Sequence, residues 1–132
     1  MNKTVDYLNE CETFFLATID GNQPKVRPFG ATMEIEGRVY FCTGKTKDVY
    51  KQLILNPRVE ISGISPKRGW IRITARIAVD DREKTKKTML DTIPSLKSIY
   101  ATKLNEFALF YLKEYESVVY EGGNIVQLES NI

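Results

Sequence analysis

A chain of 132 residues, 42% hydrophobic and 27% charged, has the length and balance of one domain, residues 1–132, with its own apolar core. Its net charge of +2 is too small to argue for nucleic acid, and no apolar run is long enough to span a membrane. It contains no histidine, which excludes histidine–zinc sites, serine–histidine or cysteine–histidine catalysis and histidine-ligated haem. Cys11 and Cys42 fit no metal spacing and no redox pair, so no metal is expected and both read as reduced, half-buried thiols. In the N-terminal stretch MNKTVDYLNECETFF polar residues break every apolar cluster. That is unlike a signal peptide, and a cytoplasmic location is expected.

In chain order, the first dozen residues read as a short helix with Val5, Leu8 and Cys11 on one stripe. FFLATI (14–19) reads as a buried strand, DGNQP (20–24) as a turn, and KVRPFGATMEI (25–35) as one long second strand. Glu36-Gly37 turns the chain into a third strand, RVYFCT (38–43), which predicts an antiparallel meander. A helix from about Lys47 to Leu55 follows, with Thr46 as its cap and Asn56-Pro57 as its end. VEISGI (59–64) and WIRITARIAV (70–79) are strands flanking the loop SPKRG, and DDREKTKKTMLDTI (80–93) and PSLKSIYA (94–101) are helices. FALFYLKEYESVVYE (107–121) reads as a sixth strand and a seventh, and Gly122-Gly123 leads into a last strand, NIVQLE. Six or more strands with inserted helices suggest a small antiparallel barrel with helical caps.

Gly44-Lys45-Thr46 has the ending of a nucleotide-binding P-loop, but the glycine required five residues earlier is Val39. A smaller phosphate suits the junction better. The free N–H groups of a helix's first turn attract an anion, Thr43 and Thr46 add hydroxyls, and Lys47 and Lys51, four apart, would share a helical face. An ordinary solvated basic helix face would read the same way. In VRPFG, Pro28 removes a ladder donor and Gly30 leaves a gap beside the backbone. A flat ring could lie across that strand, with Arg27 bonding its carbonyl groups and Phe29 walling it; a strand edge or bulge would explain the same residues. Trp70, the single tryptophan, stands where the basic loop meets the fifth strand, and such a residue is more often core or interface than a ligand platform. SPKRGWIR could also suit single-stranded nucleic acid.

Taken together, FFLATIDGNQPKVRPFG, RVYFCTGKTKDVYKQLILNPRVEI and GWIRITARIAVDD resemble the pyridoxamine 5′-phosphate oxidase-like family of FMN-binding split barrels, in family order and over most of residues 14 to 81. The resemblance implies a mainly β protein with peripheral helices, an antiparallel split β-barrel. It also implies a homodimer holding two FMN molecules in clefts between its subunits. Arg27, Pro28, Phe29 and Gly30 would line the isoalloxazine ring, Cys42 and Thr43 would meet the ribityl chain and phosphate, Lys47 and Lys51 would take the phosphate, and Trp70 would approach the flavin. The chemistry would belong to the flavin, carrying hydride and electrons from NADH or NADPH to a small acceptor such as a quinone, a nitro compound or oxygen, and no catalytic side chain is expected. The alternatives are a barrel that stores FMN without turnover and a single-stranded nucleic-acid-binding barrel. The C-terminus, YEGGNIVQLESNI, lacks the arginine-rich ending that binds substrate phosphate in the true oxidases, so pyridoxamine phosphate oxidation is not expected.

Overall fold

The computed structural model describes residues 2–132. Helix α1 (Lys3–Cys11) starts where the Asn2 side chain accepts the Val5 N–H at 2.9 Å, satisfying one of the orphan donors of its first turn. Thr4, Val5, Tyr7 and Leu8 are its buried residues. Strand β1 (Phe14–Asp20) alternates Phe14, Leu16 and Thr18 inward with Phe15 and Ile19 outward, as a half-buried strand must. It turns tightly into β2 (Gln23–Phe29). The chain continues through β3 (Thr32–Ile35), β4 (Arg38–Gly44), α2 (Asp48–Leu55), β5 (Arg58–Ile64) and β6 (Trp70–Val79). Helices α3 (Glu83–Thr92) and α4 (Pro94–Tyr100), a 3₁₀ turn at Leu104–Glu106, and strands β7 (Phe107–Glu121) and β8 (Asn124–Ser130) complete it.

All eight strands join one antiparallel sheet, in the order β2-β1-β5-β6-β7-β4-β3, with β8 added to β7. The two ends of that order are β2 and β3, which the sequence reading had joined as one strand over 25–35. They are separate strands at opposite edges, and the chain passes from one edge to the other at Gly30-Ala31. Phe29 pairs with Phe14 of β1, whereas Thr32 pairs with Phe41 of β4. The sheet therefore curls until its edges are linked covalently but share no ladder, which makes it a split barrel and replaces the expected meander.

Residues 107–121 are likewise one strand, where a sixth and a seventh were expected. Strand β7 runs along β6 on one side; on the other it pairs first with β4 and then with β8. Arg76 and Ile77 of β6 face Glu114 and Leu112, leaving Lys113 as an extra residue whose bulge bends β7, so the exchange of partners needs no turn. The barrel interior holds Leu16, Phe41, Ile61, Ile73 and Phe110. A second cluster, with Tyr40, Cys42, Met89, Phe107 and Leu109, lies beneath α3 and α4. Strand β4 lies between the two clusters and buries every residue but Arg38, the physical reason for its continuous apolar run. Helix α3 starts at Glu83, later than read, because Asp80 is spent on the turn before it: its buried carboxylate accepts the Tyr40 hydroxyl at 2.7 Å and the Arg82 backbone N–H at 3.1 Å. No helix among the described residues is long and apolar enough to cross a membrane.

Candidate functional site

A cleft of 240 Å³ opens where the crossing at Gly30-Ala31 meets the end of β4, the start of α2 and the face of α4. Arg27, Pro28, Phe29 and Gly30 come to it from the end of β2, Cys42 and Thr43 from β4, Lys47 and Val49 from the start of α2. Leu96, Ile99 and Tyr100 come from α4. The walls are apolar, and Phe29 is fixed among neighbouring rings, 6.0 Å from Phe14 and 5.8 Å edge-on to Phe41.

Two cations reach this cleft without a carboxylate partner among the described residues, Arg27 and Lys47. Arg27 donates through Nη1 to the Leu16 carbonyl at 3.1 Å and to Thr18 Oγ1 at 2.8 Å, and through Nη2 to Gln52 Oε1 at 2.6 Å. These acceptors are neutral, so the positive charge is held in place and left uncompensated, and burial pulls the guanidinium below its ordinary pKa. Its Nε–H and one Nη2 hydrogen remain available to a ligand. At the other end, Thr43 is buried and its hydroxyl, like that of Tyr100, has no hydrogen-bond partner among the described residues, yet neither oxygen is sealed from the cleft. Cys42 is buried at 7% exposure, more deeply than the half-buried thiol expected, while Cys11 is half-buried. Burial pushes the Cys42 thiol up to about 12, against the opposing charge of Lys47. It is therefore a neutral wall atom at physiological pH.

The local fold corrects the reading of α2. The helix begins at Asp48, so Thr46 is no cap; Lys47 takes the cap position in an extended conformation, and no side chain caps the helix. The free N–H groups of the first turn are left for another acceptor. Because Lys47 lies outside the helix, it does not share a face with Lys51. Lys51 lines a separate recess with Asp20, Asp48 and Gln52. Trp70 also lies outside the cleft, on the outer face of the sheet, where it stacks on Tyr120 at 4.3 Å and 12° with the Arg72 guanidinium 5.2 Å from its ring. Of the nine residues singled out from the sequence, the structure thus brings together Arg27, Pro28, Phe29, Gly30, Cys42, Thr43 and Lys47, and not Lys51 or Trp70.

Sequence reasoning missed the α4 wall. The signal was the spacing of Leu96, Ile99 and Tyr100, an apolar stripe at i, i+3 and i+4 on a helix that has no fully buried residue. A larger recess of 440 Å³ lies on the outer sheet face, lined by Ala17, Ile19, Pro24, Arg58, Thr74 and Arg76 among others. Arg76 there is already paired with Glu114, at 3.4 Å.

The sequence matches the family described as Pyridoxamine 5′-phosphate oxidase over residues 1–109. Among solved structures, a NimC/NimA family protein from Clostridium acetobutylicum is similar at 42% identity and a TM-score of 0.91, covering 96% of this chain and 89% of its own. A pyridoxamine 5′-phosphate oxidase-related, FMN binding protein from Nostoc punctiforme is 16% identical with a TM-score of 0.60, covering 89% of this chain and 78% of its own. The haem storage protein HutZ from Vibrio cholerae is 16% identical with a TM-score of 0.66, covering 99% of this chain and 98% of its own. At such identities the last two share the fold alone. No curated protein matches the sequence significantly.

Proposed function

The chain belongs to the pyridoxamine 5′-phosphate oxidase family, and on that premise we propose that it is a homodimeric FMN-binding flavoprotein that carries electrons from NADH or NADPH to a small acceptor. The observation that carries the reading is the cleft itself. It has apolar walls, two uncompensated cations in Arg27 and Lys47, an uncapped helix start and two open hydroxyls, Thr43 and Tyr100. A ligand that is a flat apolar ring at one end and a dianion at the other satisfies this set. Arg27 would orient the ring carbonyls through its remaining N–H groups, Phe29 would wall the ring, and Lys47 would neutralise the phosphate. When bound, FMN would supply the hydride and electron transfer.

Haem is disfavoured, although the Vibrio cholerae relative in fold is a haem storage protein, because this chain offers no imidazole to an iron. Pyridoxamine phosphate is disfavoured as a substrate because a second phosphate beside the ring calls for forked donors, and no arginine follows Arg82. A cleft of 240 Å³ is small for an isoalloxazine ring, and a second subunit would complete it. The outer sheet face supports such a partner. There β1 and β2 align the pairs Phe15–Pro28, Ala17–Val26 and Ile19–Pro24, all exposed but the half-buried Ala17, and Pro28 also lines the cleft. Farther across the face, Arg58 stands opposite Arg76 with no acid of its own, and Glu116 has no cation among the described ion pairs. A two-fold copy could match such charges. In that arrangement Trp70, outside its own cleft, would meet the cofactor of the other subunit.

The test of the reductase reading is anaerobic mixing of the FMN-loaded protein with excess NADH or NADPH. Bleaching of the flavin absorbance is expected. A flavin that stays oxidised with both nucleotides would replace the reductase reading with storage.

A further inference from the structure

We infer that Tyr100 is a specificity residue for phosphorylated ligands, its hydroxyl donating a hydrogen bond to the phosphate end of the molecule held in the cleft. This rests on the FMN reading above and adds to it a residue on α4, a helix with no part in the sequence-based site. The ring of Tyr100 is accounted for by packing, since it tilts against Phe107 at 4.9 Å within the cluster beneath α3 and α4. Phenylalanine would pack there equally well. The hydroxyl is not so accounted for, because it has no protein partner among the described residues and opens into the cleft that Thr43 and Lys47 also line.

Room has nevertheless been made for that oxygen. A Cβ at position 44 would lie 2.7 Å from the Tyr100 hydroxyl and would push it aside, so glycine at the end of β4 leaves the hydroxyl in its place. Gly44 lies directly between Thr43 and the turn that leads to Lys47, so the phenol it admits stands at the cationic end of the cleft. This also explains the glycine of Gly44-Lys45-Thr46 without a triphosphate: its missing side chain admits the tyrosine. Burial, with Cys42 and Glu106 nearby, keeps the phenol protonated at neutral pH, so it faces a phosphate as a donor. Leu96 and Ile99, on the same face of α4, place an apolar wall next to the hydroxyl, where a hydrogen bond to a charged oxygen is strengthened by the loss of water.

The test is Tyr100→Phe, which keeps the ring and removes one oxygen. Flavin-free parent and variant are titrated with FMN and with riboflavin, following flavin fluorescence. The variant is expected to bind FMN about tenfold or more weakly and riboflavin as the parent does. Gly44→Ala should reproduce the selective loss in the parent, by displacing the hydroxyl, and add little to it in the Tyr100→Phe background, where the nearest ring atom is at an ordinary 3.7 Å. Parent and Tyr100→Phe binding FMN equally would overturn the inference while leaving the FMN reading in place. Equal losses for both flavins would reduce Tyr100 to a ring contact and overturn it too. A parent that binds neither flavin would remove the FMN reading and this inference with it.

Discussion

Lys47 carries the most exposed test of the site at the level of a single residue. It holds the cap position of α2, has no carboxylate partner among the described residues, and borders both Cys42 and Thr43 in the cleft. Lys47→Ala should weaken FMN binding by about tenfold to a hundredfold, the worth of one charge-assisted hydrogen bond, and leave riboflavin affinity unchanged. Equal losses for the two ligands, measured by fluorescence titration, would place Lys47 away from the phosphate. Lys51→Ala is the control, since Lys51 lies in a different recess, and it should bind FMN as the parent does. The residues of the cleft that were legible in the sequence announce themselves locally. Pro28 and Gly30 are misfits in a strand, and Thr43 and Lys47 put a hydroxyl and a cation at a strand–helix junction. Tyr100 was not legible because its significance comes from Gly44, 56 residues earlier, and only the folded sheet brings the two together. The pairing of Lys51 with Lys47 was misread because it depends on whether the helix begins at Lys47 or at Asp48.

Among the elements, the N-terminal helix and the last strand are tied by one carboxylate, and this gives a pH-dependent prediction. Glu129 of β8 accepts the Thr4 hydroxyl at 2.5 Å, the Thr4 and Lys3 N–H groups at 3.0 and 3.2 Å, and the Tyr115 hydroxyl at 3.1 Å. Burial alone would raise its pKa, but these donors outweigh burial and hold the carboxyl below its ordinary value. A carboxylate depressed on folding contributes stability that is fully present above its unfolded pKa, about 4.3, and is lost as pH falls through the lower folded value. Glu129→Gln should therefore destabilise the protein by about 1–3 kcal/mol near neutral pH and flatten the acid limb of its stability curve, as followed by urea unfolding at several pH values. A variant with the parent's acid limb would show that Glu129 is not the group responsible. Element types were legible from period and turn residues, as in β6, whose alternation WIRITARIAV matches its burial. Connectivity was not, because nothing in KVRPFGATMEI shows that its two halves lie at opposite edges of a curled sheet; the break at Gly30-Ala31 is a tertiary fact.

At the scale of the molecule, the split barrel was legible through the ordered set of stretches between residues 14 and 81, while the outer face became visible only with the register that lines up Phe15–Pro28, Ala17–Val26 and Ile19–Pro24. If a second copy covers that face, Val26→Asp should leave the fold intact, because Val26 is 67% exposed in the single chain. The same change should convert a dimer to a monomer in sedimentation equilibrium and weaken FMN binding by roughly tenfold or more, since a charge buried without a partner opposes association. A Val26→Asp dimer with unaltered FMN affinity would move the interface elsewhere. Mixing the FMN-loaded protein with pyridoxamine phosphate in air should yield no pyridoxal phosphate above the free-FMN background, because the chain carries no arginine beyond Arg82. Equilibrium titration of the flavin-free protein with FMN decides whether the cleft between Arg27 and Lys47 is an FMN site. A saturable change in flavin fluorescence with one FMN per chain, and tighter binding than that of riboflavin, is expected of such a site. No saturable change at high protein concentration, or saturation by riboflavin with the same affinity, would contradict it.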